Sequence, residues 1–416
     1  MLLSIIKQTS RLTTKIMIQE NQNKRIAIIG AGLGGLCLAQ GLKKAGITCT
    51  IFERDPAVNT RSQGYRIRIN EPGRKALQRC LPDHLYSLFL ETCAASYSGM
   101  NVLTTNLESS QNELVESWSD GVKGVPDLKP NRLTLREILL QGLEHQLHYG
   151  KELTEWKELE NGETELSFGD NTTYLADIVI AADGVHSKIG AEYCKDRKVN
   201  TGNITIYGKT FFTPENLQAI SPKLQKGTSV IVDNRFSLIV DAMLFEASKH
   251  HESWNTLSPV SDYFYWAFIG NPEAFGWPQS DFYPQSADDL FHRIEEITAT
   301  WHPQLSALFK LADKSSLSIT PIRSSLPKEK WNAGHITALG DAVHTMSPAG
   351  GVGANTAFTD AALLTKNISN ALFSNSSIIM AIADYEDQMR KYSNEAVELS
   401  LQGGEILHGT HKETAE

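Results

Sequence analysis

The chain has 416 residues, 41% of them apolar and 21% charged, and a formal net charge of −9. That is an ordinary globular composition at roughly two to three times the usual domain size, and the acidic balance with no basic run excludes a nucleic-acid partner. No run of about 18 apolar residues occurs, so no membrane-spanning helix is expected.

The five cysteines, Cys37, Cys49, Cys80, Cys93 and Cys194, are scattered and contain no C-x-x-C pair. This fits a reducing compartment and gives no zinc site; no metal is expected. Residues 1–23 form an N-terminal extension in which Lys7, Arg11 and Lys15 interleave with Leu2, Leu3, Ile5, Ile6, Leu12 and Ile16, with no acid before Glu20. The pattern resembles a mitochondrial presequence, against the plainer reading of a disordered extension or of an upstream start with Met17 as the alternative. The expected compartment is the cytoplasm, with the mitochondrion as the alternative.

Residues 26–29 are a short apolar run that ends at Gly30, as a strand buried on both faces does. Gly30, Gly32 and Gly35 then supply G-x-G-x-x-G spacing at the start of a helical pattern. This spacing makes a tight turn, lets a pyrophosphate approach bare backbone and packs helix against strand. A second strand over 48–52 delivers Glu53, 18 residues beyond Gly35, close to the ~20 expected for an acid that binds a ribose hydroxyl. The unit predicts dinucleotide binding without choosing between NAD and FAD.

Residues 64–69 alternate as a strand does, and 73–81 and 85–92 read as helices split by Pro82-Asp83; 94–127 are polar and mixed. Residues 133–147 return to helical periodicity with Arg132 at the start. A cation there opposes the helix dipole, so an anionic partner, phosphate or carboxylate, is expected. A hairpin over 164–176 leads to a buried strand over 177–182 that ends in Asp183-Gly184, leaving a carboxylate at the edge where ligands bind in open α/β sheets.

Residues 203–270 read as a second, mostly antiparallel sheet. Aromatics occupy both faces of 263–269, which predicts that one side packs on a core and the other lines a cavity, or that the strand is sandwiched; Tyr263, Tyr265 and Trp266 are the candidate substrate contacts. Residues 288–301 are helical in pattern. A strand then ends in Gly340-Asp341, and a loop through Pro348, Gly350, Gly351 and Gly353 meets a helix near Asn355. Such a helix end favours negative charge. Residues 377–402 are helical, and the tail from Gly403 is expected to fray.

With these motifs in order, residues 25 to about 370 resemble the flavin-dependent monooxygenases of the para-hydroxybenzoate hydroxylase class, including tetracycline-inactivating and fungal secondary-metabolite members. The resemblance implies that Gly30, Gly32, Gly35 and Glu53 hold the ADP half of FAD and that Arg132, in Arg-x-x-Leu, contacts FAD. It also puts Arg54, Gly64 and Arg66 in the cofactor site. Asp183, Gly184 and Ser187 match the family's Asp-Gly motif, with a departure at Gly190, where arginine is usual. Gly340, Asp341, Pro348, Gly350, Gly351, Gly353 and Asn355 match the motif at the ribityl chain and flavin ring.

The implied fold is α/β: a Rossmann-like FAD-binding domain (24–80, 128–202 and 315–365), an inserted antiparallel substrate domain (81–127 and 203–314) and a C-terminal helical region (366–416). No second G-x-G-x-x-G and no Trp-x-Trp-x-Ile-Pro string occurs, which argues against disulfide reductases and halogenases. NADPH or NADH is then a transient electron donor. The expected function is hydroxylation of a small aromatic or polycyclic substrate with O2, by a monomer or weak homo-oligomer. The rivals are a flavoprotein epoxidase or oxidase and a flavin-binding protein without turnover.

Overall fold

The computed structural model describes residues 24–408, apart from 59, 61–64, 98, 111–125, 234, 246–255, 279, 281–282, 284–285 and the side chains of 349 and 403–408. The N-terminal extension, Gly64, much of the mixed stretch after 94 and the last residues of the tail lie outside the described residues.

The apolar run Ile26–Ile29 is a strand buried at every position, and it lies in the middle of a five-stranded sheet. The order is Ile336–Ala338, Ile178–Ala181, Ile26–Ile29, Cys49–Phe52, Leu147–His148, and every pairing is parallel. Strands without polar alternation demand cover on both faces. The helix Leu33–Lys44 covers one side, and the helix Gly353–Ser374 packs over that helix and over Glu71–Cys80. A three-stranded antiparallel sheet, Leu153–Glu158, Thr164–Phe168 and Thr173–Ala176, carries the expected hairpin.

The second sheet has six strands in the order Ser318–Ser325, Lys198–Phe211, Tyr263–Gly270, Phe236–Met243, Thr228–Val232, Met100–Thr104. All pairs are antiparallel except the last. Its two faces follow the period of two. Phe264, Trp266 and Phe268 join Ile206, Leu238 and Val240 in a core closed by the helices Ala287–Thr298 and Pro303–Lys310. The opposite face carries Tyr207, Tyr265 and Asp241, which stand in register across neighbouring strands or next to such positions.

Several elements differ from expectation. Residues 65–69 form no strand and pair with the chain near 128–130 through an isolated bridge, Ile69 with Leu128, and an Ile67 N–Pro130 O bond; the next residue, Asn70, caps a helix, its side chain accepting from Gly73 N. The helix expected over 133–147 is Arg132–Leu140, since Gln141 is extended and Gly142 turns at φ 72°. The chain then makes a 3-10 turn and the edge strand Leu147–His148. The helix Asp83–Glu91, assigned from sequence to the substrate domain, buries Leu85, Leu88 and Phe89 in the core of the parallel sheet. The strand Ser318–Ser325, assigned to the FAD domain, pairs in the six-stranded sheet. The C-terminal helix Ile378–His408 is continuous through Gly403.

Candidate active site

At the carboxyl end of the parallel sheet the three glycines do different work. Gly30 turns at φ 104°, and a Cβ there would stand 2.4 Å from the Ala182 carbonyl oxygen. A Cβ on Gly35 would stand 2.2 Å from Gly30 O. Gly32, the N-cap of the helix, meets nothing nearer than 3.9 Å, so bare backbone faces open space at a helix N-terminus, the setting that suits a pyrophosphate.

Glu53 fixes this turn: its Oε2 accepts from Ala31 N at 2.9 Å and its Oε1 from Asp55 N at 3.0 Å. Arg136 completes the arrangement, donating to Glu53 at 3.3 Å, to Ala31 O at 3.0 Å and to Val58 O at 2.8 Å. With three protein donors on a carboxylate that has about four acceptor positions, Glu53 keeps room for a ribose hydroxyl. Arg136 escaped the sequence reading. Its signal was its place one turn after Arg132 on the same helix. Arg54 is exposed near Asp183, whose ionised form it favours.

Asp183 stands two residues beyond the strand Ile178–Ala181, and its Oδ1 is buried with no hydrogen-bond partner among the described residues. Burial pushes its pKa up, opposed by the Ser187 hydroxyl. Beside it Gly184 turns at φ 82° into open space. Ser187 caps the helix Lys188–Glu192 by accepting from Gly190 N at 3.0 Å. A Cβ on Gly190 would lie 1.8 Å from the Ala342 carbonyl oxygen. The helix presses on the turn that carries Asp341, so this backbone leaves no room for an arginine at the position.

That turn, Gly340–Ala342, follows the strand Ile336–Ala338. Arg132 and Asp341 lie near enough for each to favour the other's charged form. Both are exposed in accessible area. Yet desolvation by surrounding protein is the largest influence on each, lowering the pKa of Arg132 and raising that of Asp341. Side chains both surrounded and accessible line a cleft. Asp341 is thus a carboxylate counterpart to the cation at this helix start.

Behind the turn lies a buried polar network. Asp360, fully buried, accepts from Gly340 N at 2.8 Å, pairs with His344 Nε2 at 2.5 Å and accepts from the Tyr392 hydroxyl of the C-terminal helix. Burial and the neighbouring Asp360 both push the Tyr392 pKa up.

The loop Pro348–Gly350 leads through Gly351, at φ 60°, to the helix Gly353–Ser374, whose first turn has no acid and no side-chain cap. Its N-terminus is open to a ligand's negative charge. Asn355 points inward instead: its Nδ2 donates to Arg68 O at 2.9 Å and Gly351 O at 3.0 Å, and its Oδ1 accepts from Asn70 N at 3.0 Å. It clamps two backbone segments, and any bearing on the cofactor is through them.

On the sheet side the structure separates the three aromatic candidates. Tyr263 is buried, and its hydroxyl donates to Tyr65 O at 2.6 Å and accepts from Asn131 Nδ2 at 2.9 Å. Tyr265 is half-buried beside Arg66 and Tyr207, and burial raises its pKa to about 12. Trp266 points to the other face, where Nε1 donates to Thr210 Oγ1 at 3.1 Å and the ring packs on Phe309. The period of two separates 266 from 263 and 265, and that signal was present in the sequence. Tyr207, missed from sequence, lies near Arg132.

A cavity of about 120 Å³ lies between this face and the glycine-rich loop; Thr228, Val230 and Ile239 line one side, Pro348 and Gly351 the other. Arg66, Arg68 and Lys129 also reach it. Among the described residues no cluster of three His, Cys, Asp or Glu side chains could hold a metal.

Comparison with known proteins agrees with this geometry. A family model for the FAD binding domain matches residues 135–400, more than half of the chain, and one for an NAD(P)-binding Rossmann-like domain matches 28–79. A dual O-methyltransferase/FAD-dependent monooxygenase of Cercospora beticola is 33% identical over 93% of this chain and 46% of its own length. The chain thus spans about half the length of the first curated relatives it matches. The 6-hydroxynicotinate 3-monooxygenase of Pseudomonas fluorescens is 24% identical over 83% of each chain. A crystal structure of an FAD-containing protein from Photorhabdus luminescens superposes with a TM-score of 0.78 at 29% identity, covering 92% of this chain and 99% of that one. The glycine turn with Glu53, the unpartnered Asp183 oxygen and the charges of Arg132 and Asp341 all fit FAD, and the chain belongs to the FAD binding domain family, among whose members are FAD-dependent monooxygenases.

Proposed function

We propose that the protein is an FAD-dependent hydroxylase that uses NAD(P)H and O2 on a small aromatic or polycyclic substrate. The observation that carries this reading is that Arg132, near both Asp341 and Tyr207, links the glycine-rich edge of the parallel sheet to the tyrosine-bearing face of the second sheet. Bound FAD would supply the redox chemistry, taking two electrons from NAD(P)H and, with O2, delivering one oxygen atom to the substrate as the other leaves as water.

The chain's residues bind and position. Gly30, Gly32 and Gly35, held by Glu53 and Arg136, would take the pyrophosphate; Asp183 and Asp341, at two strand ends, would take hydroxyl donors of the cofactor. The N-terminus at Gly353 would stabilise negative charge on the reduced ring. Arg54 and Gly64 remain cofactor contacts by resemblance alone. The face with Tyr265 and Tyr207 orients the substrate and excludes water, whereas Trp266 packs the core behind it.

A discontinuous FAD domain and a sheet domain are supported by two separate cores, one around each sheet. Five free thiols support a reducing compartment, taken here as the cytoplasm, and the protein acts as a monomer or weak homo-oligomer. Among the described residues no helix is long and apolar enough to cross a membrane. The relative named for 6-hydroxynicotinate supports an aromatic substrate.

The test is reconstitution with FAD followed by NADPH and NADH oxidation and O2 uptake across a panel of hydroxylated aromatics. Oxidation stimulated by one class, with hydroxylated product in equal amount, is expected. Flavin that binds but is never reduced would favour a flavin-binding protein without turnover.

A further inference from the structure

Resting on that functional reading, we propose that the cavity beside the glycine-rich loop recognises an acidic oxygen of the substrate, a carboxylate or an ionised phenol or enol, through Lys129 and Arg68. The cavity is two-sided. Met100, Val230 and Ile239 form an apolar wall, and Arg66, Arg68 and Lys129 form a cationic end.

Among the described residues the charges at that end do not cancel. Asp241, with no exposed surface, is shared: Lys129 Nζ donates to its Oδ1 at 2.7 Å, Thr228 Oγ1 donates to its Oδ2 at 3.1 Å, and Arg66 stands 2.6 Å away. The Arg66 contact is an ion pair by distance only, since its Nε makes no directed hydrogen bond. Arg68 pairs with Asp127. Three cations thus meet two carboxylates among the described residues, in a place where Lys129 is only 7% exposed. An uncompensated charge at a largely buried site is unfavourable until an anion joins it.

Donors are also left over. Lys129 donates to Asp241 and to Thr228 Oγ1 at 2.8 Å, which leaves one of its three N–H bonds for a ligand. Arg68 uses Nε on Asp127, and its side chain packs over Gly351, so the rest of the guanidinium borders the loop that meets the flavin site. Asp241 holds Lys129 in place from behind and stands in register with Tyr265 on the same face. A single aromatic ring suits a volume of about 120 Å³, since a ~150 Å³ cavity holds one benzene. The acidic oxygen would sit on that ring, and further rings would extend towards the loop.

The experiment uses FAD-loaded protein and pairs of probes matched in shape: hydroxybenzoates and hydroxynaphthoates against their primary amides, and acidic phenols against their methyl ethers. Binding is read from the flavin absorption band and from tryptophan fluorescence. The acids should bind at least about tenfold more tightly than the amides, and the preference should fall towards unity in Arg68→Gln and in Lys129→Met. Circular dichroism and flavin content of both variants identify any that fails to fold; Arg68, the more exposed of the two, keeps the test decisive.

Preference for acids over amides, without preference for phenols over ethers, identifies a carboxylate; the reverse identifies an ionised hydroxyl. Equal affinity within every pair overturns the proposal, because no unneutralised charge would then act on the substrate. Acid preference that survives both substitutions also overturns it. Neither result touches the functional reading, which fails separately if bound probes never stimulate NAD(P)H oxidation.

Discussion

The two glycine-rich segments look alike on paper and are held in place by different physics. At Gly30 and Gly35 an added Cβ would meet backbone oxygen at 2.4 and 2.2 Å, so the backbone itself leaves no space for a side chain. At Gly350 and Gly353 the nearest atoms to such a Cβ are 3.5 Å away, an ordinary contact, and only Gly351 needs its positive φ. The second loop is held by the Asn355 clamp on Gly351 O, and the turn that precedes it, Gly340–Ala342, is held from behind by Asp360, His344 and Tyr392. A glycine pattern can therefore mark a close backbone approach or merely a loop shaped by distant polar groups. The consequences of substitution should separate the two.

The largest effect is expected at Asp360. Asp360→Leu leaves Gly340 N and the His344 ring without their buried acceptor, and breaking a buried hydrogen-bonded pair costs about 3–5 kcal/mol. Thermal unfolding of cofactor-free protein should show that loss together with a fall in flavin content. An unchanged melting temperature would mean that the Gly340 turn before the second loop holds itself.

Gly35→Ala comes next. Its Cβ must push Gly30 O away, and overpacking of this kind costs about 1–3 kcal/mol. Both cofactor-free stability and FAD affinity should drop, as read by calorimetry and by flavin titration. A variant that binds FAD normally would remove the steric account of the first turn.

A pH experiment reaches the polar groups behind the second loop. Lys328 is buried, which lowers its pKa from 10.5 to about 8, while Asp196 and Asp360 pull in the opposite direction. Between about pH 8 and the ordinary lysine range the unfolded chain carries a proton that the folded chain has released, so this group makes stability rise with pH there. Below about pH 8 both states are protonated and its contribution is flat. Relative to Lys328→Met, the melting temperature of the parent protein should therefore climb across that window. A constant difference would show that Lys328 titrates normally.

The smallest effect is expected at Gly353→Ala. The cofactor-free protein should melt within about 0.5 kcal/mol of the parent, as surface-like substitutions do. FAD affinity should still fall, because the added methyl would crowd the uncapped helix N-terminus beside Asp341 that would receive the cofactor's negative charge. Equal loss of stability at Gly35 and Gly353 would erase the distinction between the two segments.

How much could be read in advance follows the same division. Ile26–Ile29, the helix after it and Glu53 were legible because each is a local pattern: an apolar run, a glycine spacing, an acid at a strand end. The helix and strand at 336–374 were legible for the same reason. Trp266 was misplaced although strand alternation assigns it to the core face. Gly190 could be seen to depart from the pattern it resembles, but the Ala342 carbonyl that leaves it no room for a side chain lies about 150 positions away in sequence.

By itself the sequence determined a dinucleotide-binding unit, a second sheet and a second glycine-rich helix start, since hydrogen-bond periodicity and backbone sterics act over a few residues. Tertiary structure alone decided that Arg136 braces Glu53, that Asp360 holds Gly340 from a helix turn beyond the loop, and that Arg66, Arg68, Lys129 and Asp241 share one cavity edge. Charges on segments far apart in the chain interact only once packing has removed the water between them, and no local pattern encodes that meeting.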